Sequence, residues 1–100
     1  ASDERLKENI TDIENALEKV KQISGVTFNY KEDKRPSAGV IAQQIENVLP
    51  VAVSEKELPF LKDDGQKYKV VNYDALHGLL IEAIKELSAE IEELKRGTAK

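Results

Sequence analysis

Three observations predict an α+β fold. A heptad-spaced apolar stripe lies near the C-terminus, a shorter helical stripe lies near the N-terminus, and between them short segments alternate apolar and polar residues. The chain has 100 residues, room for a single compact domain over 1–100. It carries 15 basic and 19 acidic side chains, a formal charge of −4. Its aromatic residues are few: Phe28, Phe60, Tyr30, Tyr68 and Tyr73. A lone chain of this length hides only about 60–65% of its unfolded surface. With so few large side chains its core is thin, and oligomerisation is the expected remedy.

The elements follow in order. Ile10, Ile13, Leu17 and Val20 recur at three- and four-residue spacing and predict a helix over 10–24. Thr11 and Glu14 suit a capping box, and Gly25 suits a left-handed residue just past the helix end. Val26, Phe28 and Tyr30 share one face of a half-buried strand. Residues 31–37, KEDKRPS, read as a solvated loop whose mixed charges form no anion site. Gly39, Val40 and Ile41 form a short strand or extended entry to a short helix over 42–48. Leu49-Pro50 stops that helix, since a residue before proline avoids the helical region. Residues 51–54 read as a short strand. The stretch 55–67, with Pro59 and an Asp63-Asp64-Gly65 turn, reads as a hairpin or exposed excursion. Tyr68, Val70 and, by continuation, Asn72 alternate against Lys69 and Val71 as a further strand, completing a small antiparallel sheet.

The C-terminal helix, 73–96, carries the strongest pattern. Asp74 suits its first turn or N-cap. Ile84, Leu87, Ile91 and Leu94 are spaced three, four and three, a seam with 84 and 91 at a and 87 and 94 at d. Extended backward, the register takes Leu80, His77 and Tyr73. Glu90 and Lys95 have the offset of an interchain ion pair in a parallel coiled coil. Leu76, Leu79, Ile81 and Ala83 widen the stripe at the N-terminal end. The helix is therefore expected to pack on its own domain first, then to leave it and meet partner helices. Residues 97–100 are expected to be a frayed tail.

Composition excludes several chemistries. No cysteine is present, so there is no disulfide framework, thiol nucleophile or Cys-based zinc site. A single histidine, His77, cannot supply a His-rich metal site, and as an a-position residue it reads as an interface histidine. No metal or cofactor is expected. No apolar run is long enough to span a membrane, and the start, ASDERLKEN, lacks an apolar signal core. No third of the chain is basic, which argues against a nucleic-acid partner. Glycine-rich phosphate loops are absent.

One constellation remains, Ser2 with Lys7. A lysine can activate a serine nucleophile in place of a histidine. The amine must then be neutral, and at a lysine's reference pKa of about 10.4 only roughly one in a thousand is neutral near pH 7.5. Burial can shift that balance, and a subunit interface is the means available to so short a chain. A straight strand puts residues five apart on opposite faces, and a helix separates them by about 140°. A bend or a neighbouring chain is needed to join them.

The strings SDERLKENI, ALEKVKQISGVTFNY, AGVIAQQIENVLP and KVVNYDALHGLLIEAIKEL follow one another in a known order. They resemble the C-terminal intramolecular chaperone domain of phage tail spikes, tail fibres and endosialidases, with a related domain in myelin regulatory factor. The resemblance covers residues 2 to about 95, apart from 55–67. It implies a homotrimer whose long helices form a bundle. That homotrimer aligns and helps to fold an upstream fibre or spike polypeptide, its client, in the host cytoplasm during phage assembly. It further implies release by autoproteolysis at Ala1–Ser2, with Ser2 as nucleophile and Lys7 as general base, the domain then leaving the mature virion fibre. Asp3 and Arg5 would orient the turn. Gly39–Pro50 and Asn72-Tyr73 would serve the fold and the trimer, and His77, Leu80, Ile84, Leu87, Ile91 and Leu94 are the trimer-contact candidates. Only Ala1 precedes Ser2, so the sequence is expected to be either a near-product fragment or one trimmed at the cut, without its client. A non-proteolytic trimerisation or structural tip module would use the same seam, and receptor adhesion through the acidic 55–67 segment is a third reading.

Overall fold

Chain order in the computed structural model, which describes residues 1–98, begins with an exposed N-terminal arm containing a 3-10 turn at Glu4–Leu6. Then come α1 (Ala16–Val20), β1 (Val26–Asn29), β2 (Pro36–Gly39), α2 (Ala42–Val48), a 3-10 turn at Pro50–Ala52, β3 (Val53–Glu57), β4 (Lys67–Val71) and α3 (Tyr73–Thr98). The expected sheet resolves into two separate antiparallel hairpins, β1-β2 and β3-β4. Their registers pair Val26 with Gly39 and Asn29 with Pro36, and Val53 with Val71 and Glu57 with Lys67.

The core is small. Ala16, Ile45, Val48, Leu49, Ala52, Leu76, Leu79 and Ala83 are buried, with Ile13, Leu17, Val20 and Val53 packed against them. Ile45 and Leu79 are its largest fully enclosed side chains. Each such burial contributes about 1.5–3 kcal/mol. The core thus joins α1, α2, the second 3-10 turn and the first three turns of α3. Polar contacts pin the hairpins to it. Lys69 on β4 reaches Glu46 on α2 at 2.9 Å and Glu55 on β3 at 3.2 Å, and these two carboxylates, Glu46 foremost, raise its proton affinity. The amide of Ser24 donates to Gln44 Oε1 at 2.9 Å, tying the entry of β1 to α2.

Two glycines are required by geometry. Gly65 closes the excursion between β3 and β4 at φ 72°, in the Asp63-Asp64-Gly65 turn. At Gly39 a Cβ would lie 2.7 Å from the Tyr73 hydroxyl, so the first turn of α3 rests directly on the end of β2. Asn72 starts α3. Its side chain accepts from the Asp74 amide at 3.0 Å, while its own amide donates to Ala52 O at 2.7 Å. Asn72, rather than Asp74, is therefore the capping residue, and Asp74 lies in the first turn.

Helix α1 differs most from expectation, covering five residues of the fifteen over 10–24. Asn15 takes a left-handed conformation (φ 53°) and breaks the helix before it, so Thr11 and Glu14 form no capping box. Ile10, counted into the stripe, is 63% exposed. The first amides of α1 are capped from a distance by Glu86 of α3: Ala16 donates to Oε2 at 2.7 Å and Leu17 to Oε1 at 3.3 Å. Because α1 ends at Val20, Gly25 caps nothing and does not take positive φ. Strand β2 starts at Pro36, three residues earlier than expected, and the strand expected over 51–54 divides into a 3-10 turn and the start of β3. Helix α3 continues through Gly97 to Thr98, where a frayed tail was expected; residues 99–100 lie outside the described range.

Candidate functional site

Ser2 and Lys7 flank the first 3-10 turn. The turn forms because Leu6 donates to Asp3 O at 3.1 Å and Lys7 to Glu4 O at 3.0 Å. Asp3 is its N-cap, accepting from the Arg5 amide at 2.9 Å. The Arg5 guanidinium folds back on the same carboxylate, with Nη2 2.9 Å from Oδ2 and Nε 3.2 Å from Oδ1. This forked contact, with the Arg5 amide second, holds the Asp3 carboxyl below its ordinary value of 3.8. Asp3 and Arg5 thus bend the segment between the serine and the lysine, as a Ser-Lys pair five residues apart requires.

The bend does not by itself complete a site. Ser2 and Lys7 are exposed, and among the described residues neither side chain has a hydrogen-bond partner. Two surface hollows lie between the hairpins, around Tyr30, Leu58 and Leu61, and Ser2 and Lys7 line neither. The arm also presents Leu6, 74% exposed, and Ile10 without cover in the single chain.

The second candidate feature is the far half of α3. Leu76, Leu79 and Ala83 bury themselves on the domain, and Glu86 reaches α1. Beyond Glu86 every described side chain through Gly97 is exposed. Leu80, Ile84, Leu87, Ile91 and Leu94 all face solvent, from 39% at Leu80 to 70% at Leu94. His77 is exposed as well, with Nδ1 3.9 Å from Asp74 Oδ1. Ion pairs line the flanks: Lys85 with Glu82 at 3.3 Å, and Arg96 with Glu93 at 3.6 Å. A helix of 26 residues runs about 39 Å, and half of it projects an apolar row that its own chain leaves uncovered. Sequence pattern found this row. It did not find the Glu86 cap, whose partner lies 70 residues away, nor the part of Asn72, whose only local signal is an Asn ahead of a helical stripe.

Among the described residues no cluster of three or more His, Asp or Glu could hold a metal ion, and no helix is long and apolar enough to cross a membrane.

Comparison with known families identifies the class to which the chain belongs. The peptidase S74 model, described as chaperone of endosialidase, matches residues 2–54, more than half of the sequence, and the chain belongs to this family. It is also similar to long tail fibre protein Gp37 of several phages. Identity is 41% over 99 residues with that of Enterobacteria phage K3 (94% of this chain, 8% of the relative). It is 43% over 101 residues with that of Enterobacteria phage M1 (94% and 38%), and 35% over 105 residues with that of Salmonella phage S16 (96% and 13%). The chain therefore spans a small part of the length of these relatives.

Proposed function

We propose that the chain is a trimerising intramolecular chaperone that assists the folding of an upstream tail-fibre polypeptide and then releases itself by cutting the bond before Ser2. The observation that carries this reading is the uncovered seam Ile84-Leu87-Ile91-Leu94 on α3. Three such helices side by side would bury it. Membership of the peptidase S74 family supports the cleavage half of the reading, and similarity to tail-fibre proteins supports the nature of the client.

The chaperone role has a simple physical basis. Strands of a fibre shaft must start in register, and non-local pairing is the slow, entropically costly step. A trimer attached to the chain raises the effective concentration of the three strands near one another. Once the shaft has formed, a high unfolding barrier keeps it assembled without the domain. The work belongs to assembly in the host cytoplasm, before the fibre is mature.

For cleavage, Ser2 Oγ attacks the carbonyl carbon of the preceding residue while Lys7 Nζ takes the hydroxyl proton. The Oγ–C bond forms, the C–N bond breaks, and the proton passes to the departing Ser2 amine. Water then hydrolyses the ester, returning the Ser2 hydroxyl and leaving a carboxyl on the upstream chain. Lysine acts as a base only when neutral, and exclusion of water favours the neutral amine. Docking of three chains is the event that would exclude it, so cutting would report completed assembly.

The test is the mass of the polypeptide expressed with its upstream chain. Two fragments are expected for the unaltered sequence and one for Ser2→Ala, and Lys7→Ala should slow cutting by more than about 100-fold. Charged residues at Ile84 and Leu87 should stop cutting with Ser2 and Lys7 intact. Normal processing of Ser2→Ala and Lys7→Ala would sink the dyad. The solvated state of both side chains in the single chain favours a second reading, a trimerisation module that does not cut. A single uncut band from the unaltered trimer would establish it.

A further inference from the structure

The geometry assigns Glu86 as a positioning residue for self-cleavage: it fixes the segment that carries Ser2 and Lys7 at the height on α3 where the uncovered seam begins. The inference rests on the cleavage reading above and adds the residue that links cutting to assembly.

Helix α1 has no cap of its own, because left-handed Asn15 offers its amides no side-chain acceptor. Glu86 replaces that cap with both carboxylate oxygens, at 2.7 Å to the Ala16 amide and 3.3 Å to the Leu17 amide. Two acceptors used at once limit both sliding and rotation of α1 against α3. The junction is not a solvated surface pair, since Ala16 is fully buried and Glu86 half-buried. A second point lies upstream, where the Ile13 methyl sits 3.6 Å from the position a Cβ on Gly78 would take. Residues 78 and 86 are about 12 Å apart along a helix, so the two points fix the direction in which the chain leaves α3 toward its N-terminus. Among the described residues, the hydrogen bonds of positions 1–12 all fall within 3–7. No hydrogen bond among the described residues ties positions 1–12 to the rest of the chain, so the arm takes its direction from the packing of Ile13 and α1 on the core and from the Glu86 bonds.

Glu86 lies in the same turn as Ile84 and Leu87. Those two side chains face solvent while Glu86 faces α1. Docking of partner helices on Ile84 and Leu87 would set the place of Glu86, and Glu86 sets the place of the arm. Reacting groups are sensitive to such placement, since a 1 Å displacement can cost about 100-fold in rate.

The test uses the polypeptide with its upstream chain, following cleaved fraction against time, oligomeric state by native mass spectrometry, and amide hydrogen exchange over residues 1–17. Glu86→Ala is expected to form trimers, to lose exchange protection at Ala16 and Leu17, and to cut at least about ten-fold more slowly. Glu86→Gln, which keeps an acceptor at the same reach, should recover most of the rate. A trimeric Glu86→Ala protein that cuts at the unaltered rate overturns the assignment. Should Glu86→Ala fail to trimerise, Glu86→Asp decides, because it keeps the charge and withdraws the carboxylate by one methylene. Slow cutting by its trimer supports the assignment, and an unaltered rate overturns it. Ser2→Ala is run alongside. If Ser2→Ala is still cut, the dyad reading fails by itself, and the steering of the arm is then judged by exchange, where unchanged protection in Glu86→Ala overturns it.

Discussion

Leu79 and Leu94 lie fifteen residues apart on one continuous helix, and their surroundings are opposite. Leu79 is fully enclosed by the core, whereas Leu94 is 70% exposed. The near half of α3 holds this chain together, and the far half carries the same kind of apolar row uncovered by the described residues. An amphipathic stripe therefore tells which residues want to be covered, but not by whom. The division falls at Glu86, the last residue of the helix to bond to another element among the hydrogen bonds described.

The sharpest way to break this comparison is to make one substitution at both places. Leu79→Ala should destabilise the folded domain by about 2–5 kcal/mol, read as a lower denaturant midpoint at every protein concentration. Leu94→Ala should change the stability of the isolated chain by no more than about 0.5 kcal/mol. Its effect should appear instead as a weaker, more concentration-dependent melting of the assembled form. Equal losses at both sites would mean that the two halves do the same work.

A smaller effect tests how the near half is seated. Gly39→Ala places a methyl group 2.7 Å from the Tyr73 hydroxyl and should cost about 1–3 kcal/mol by overpacking. Tyr73→Phe in the same chain should restore most of it, as measured by thermal unfolding.

The smallest effect concerns the arm. The Asp3 carboxyl is lowered by Arg5, so its contribution is complete above the ordinary value of 3.8 and is lost as pH falls through the lowered folded value. Lys69 behaves inversely. Its contribution is complete below 10.5 and is lost as pH rises through its raised folded value. Side-chain chemical shifts of Asp3 should therefore move in acid, at a pH below the ordinary aspartate range, and those of Lys69 in strong base, at a pH above the ordinary lysine range.

Local pattern made much of this fold legible. Helix α2 was expected over 42–48 and occupies those residues, because Leu49-Pro50 ends it by a purely local steric rule. The hairpin around Asp63-Asp64-Gly65 and the start of α3 at Tyr73 were readable for the same reason. What escaped depended on distant partners. The stripe from Ile10 to Val20 has helical spacing, yet Asn15 and a cap supplied 70 residues later decide where α1 begins. The charged run 31–37 reads as a solvated loop, yet β2 begins inside it at Pro36, a residue confined to strand ends and edges. Pro36 stands opposite Asn29 at the end of a two-stranded sheet, where that rule permits it. At the candidate site, the need for a bend was legible from the odd spacing of Ser2 and Lys7. The forked Asp3-Arg5 contact that makes the bend has no signature in residue spacing and shows only in the fold.

A sheet of two strands has two open edges, and this molecule has two such sheets. Their rims are ill-suited to recruiting stray strands. Pro36 withholds a backbone donor from one, and Glu55, Lys56, Glu57, Lys67 and Lys69 set charges along the rungs of the other. Such a hairpin resists growing into fibrils by edge-to-edge stacking, even where many copies of the chain crowd together.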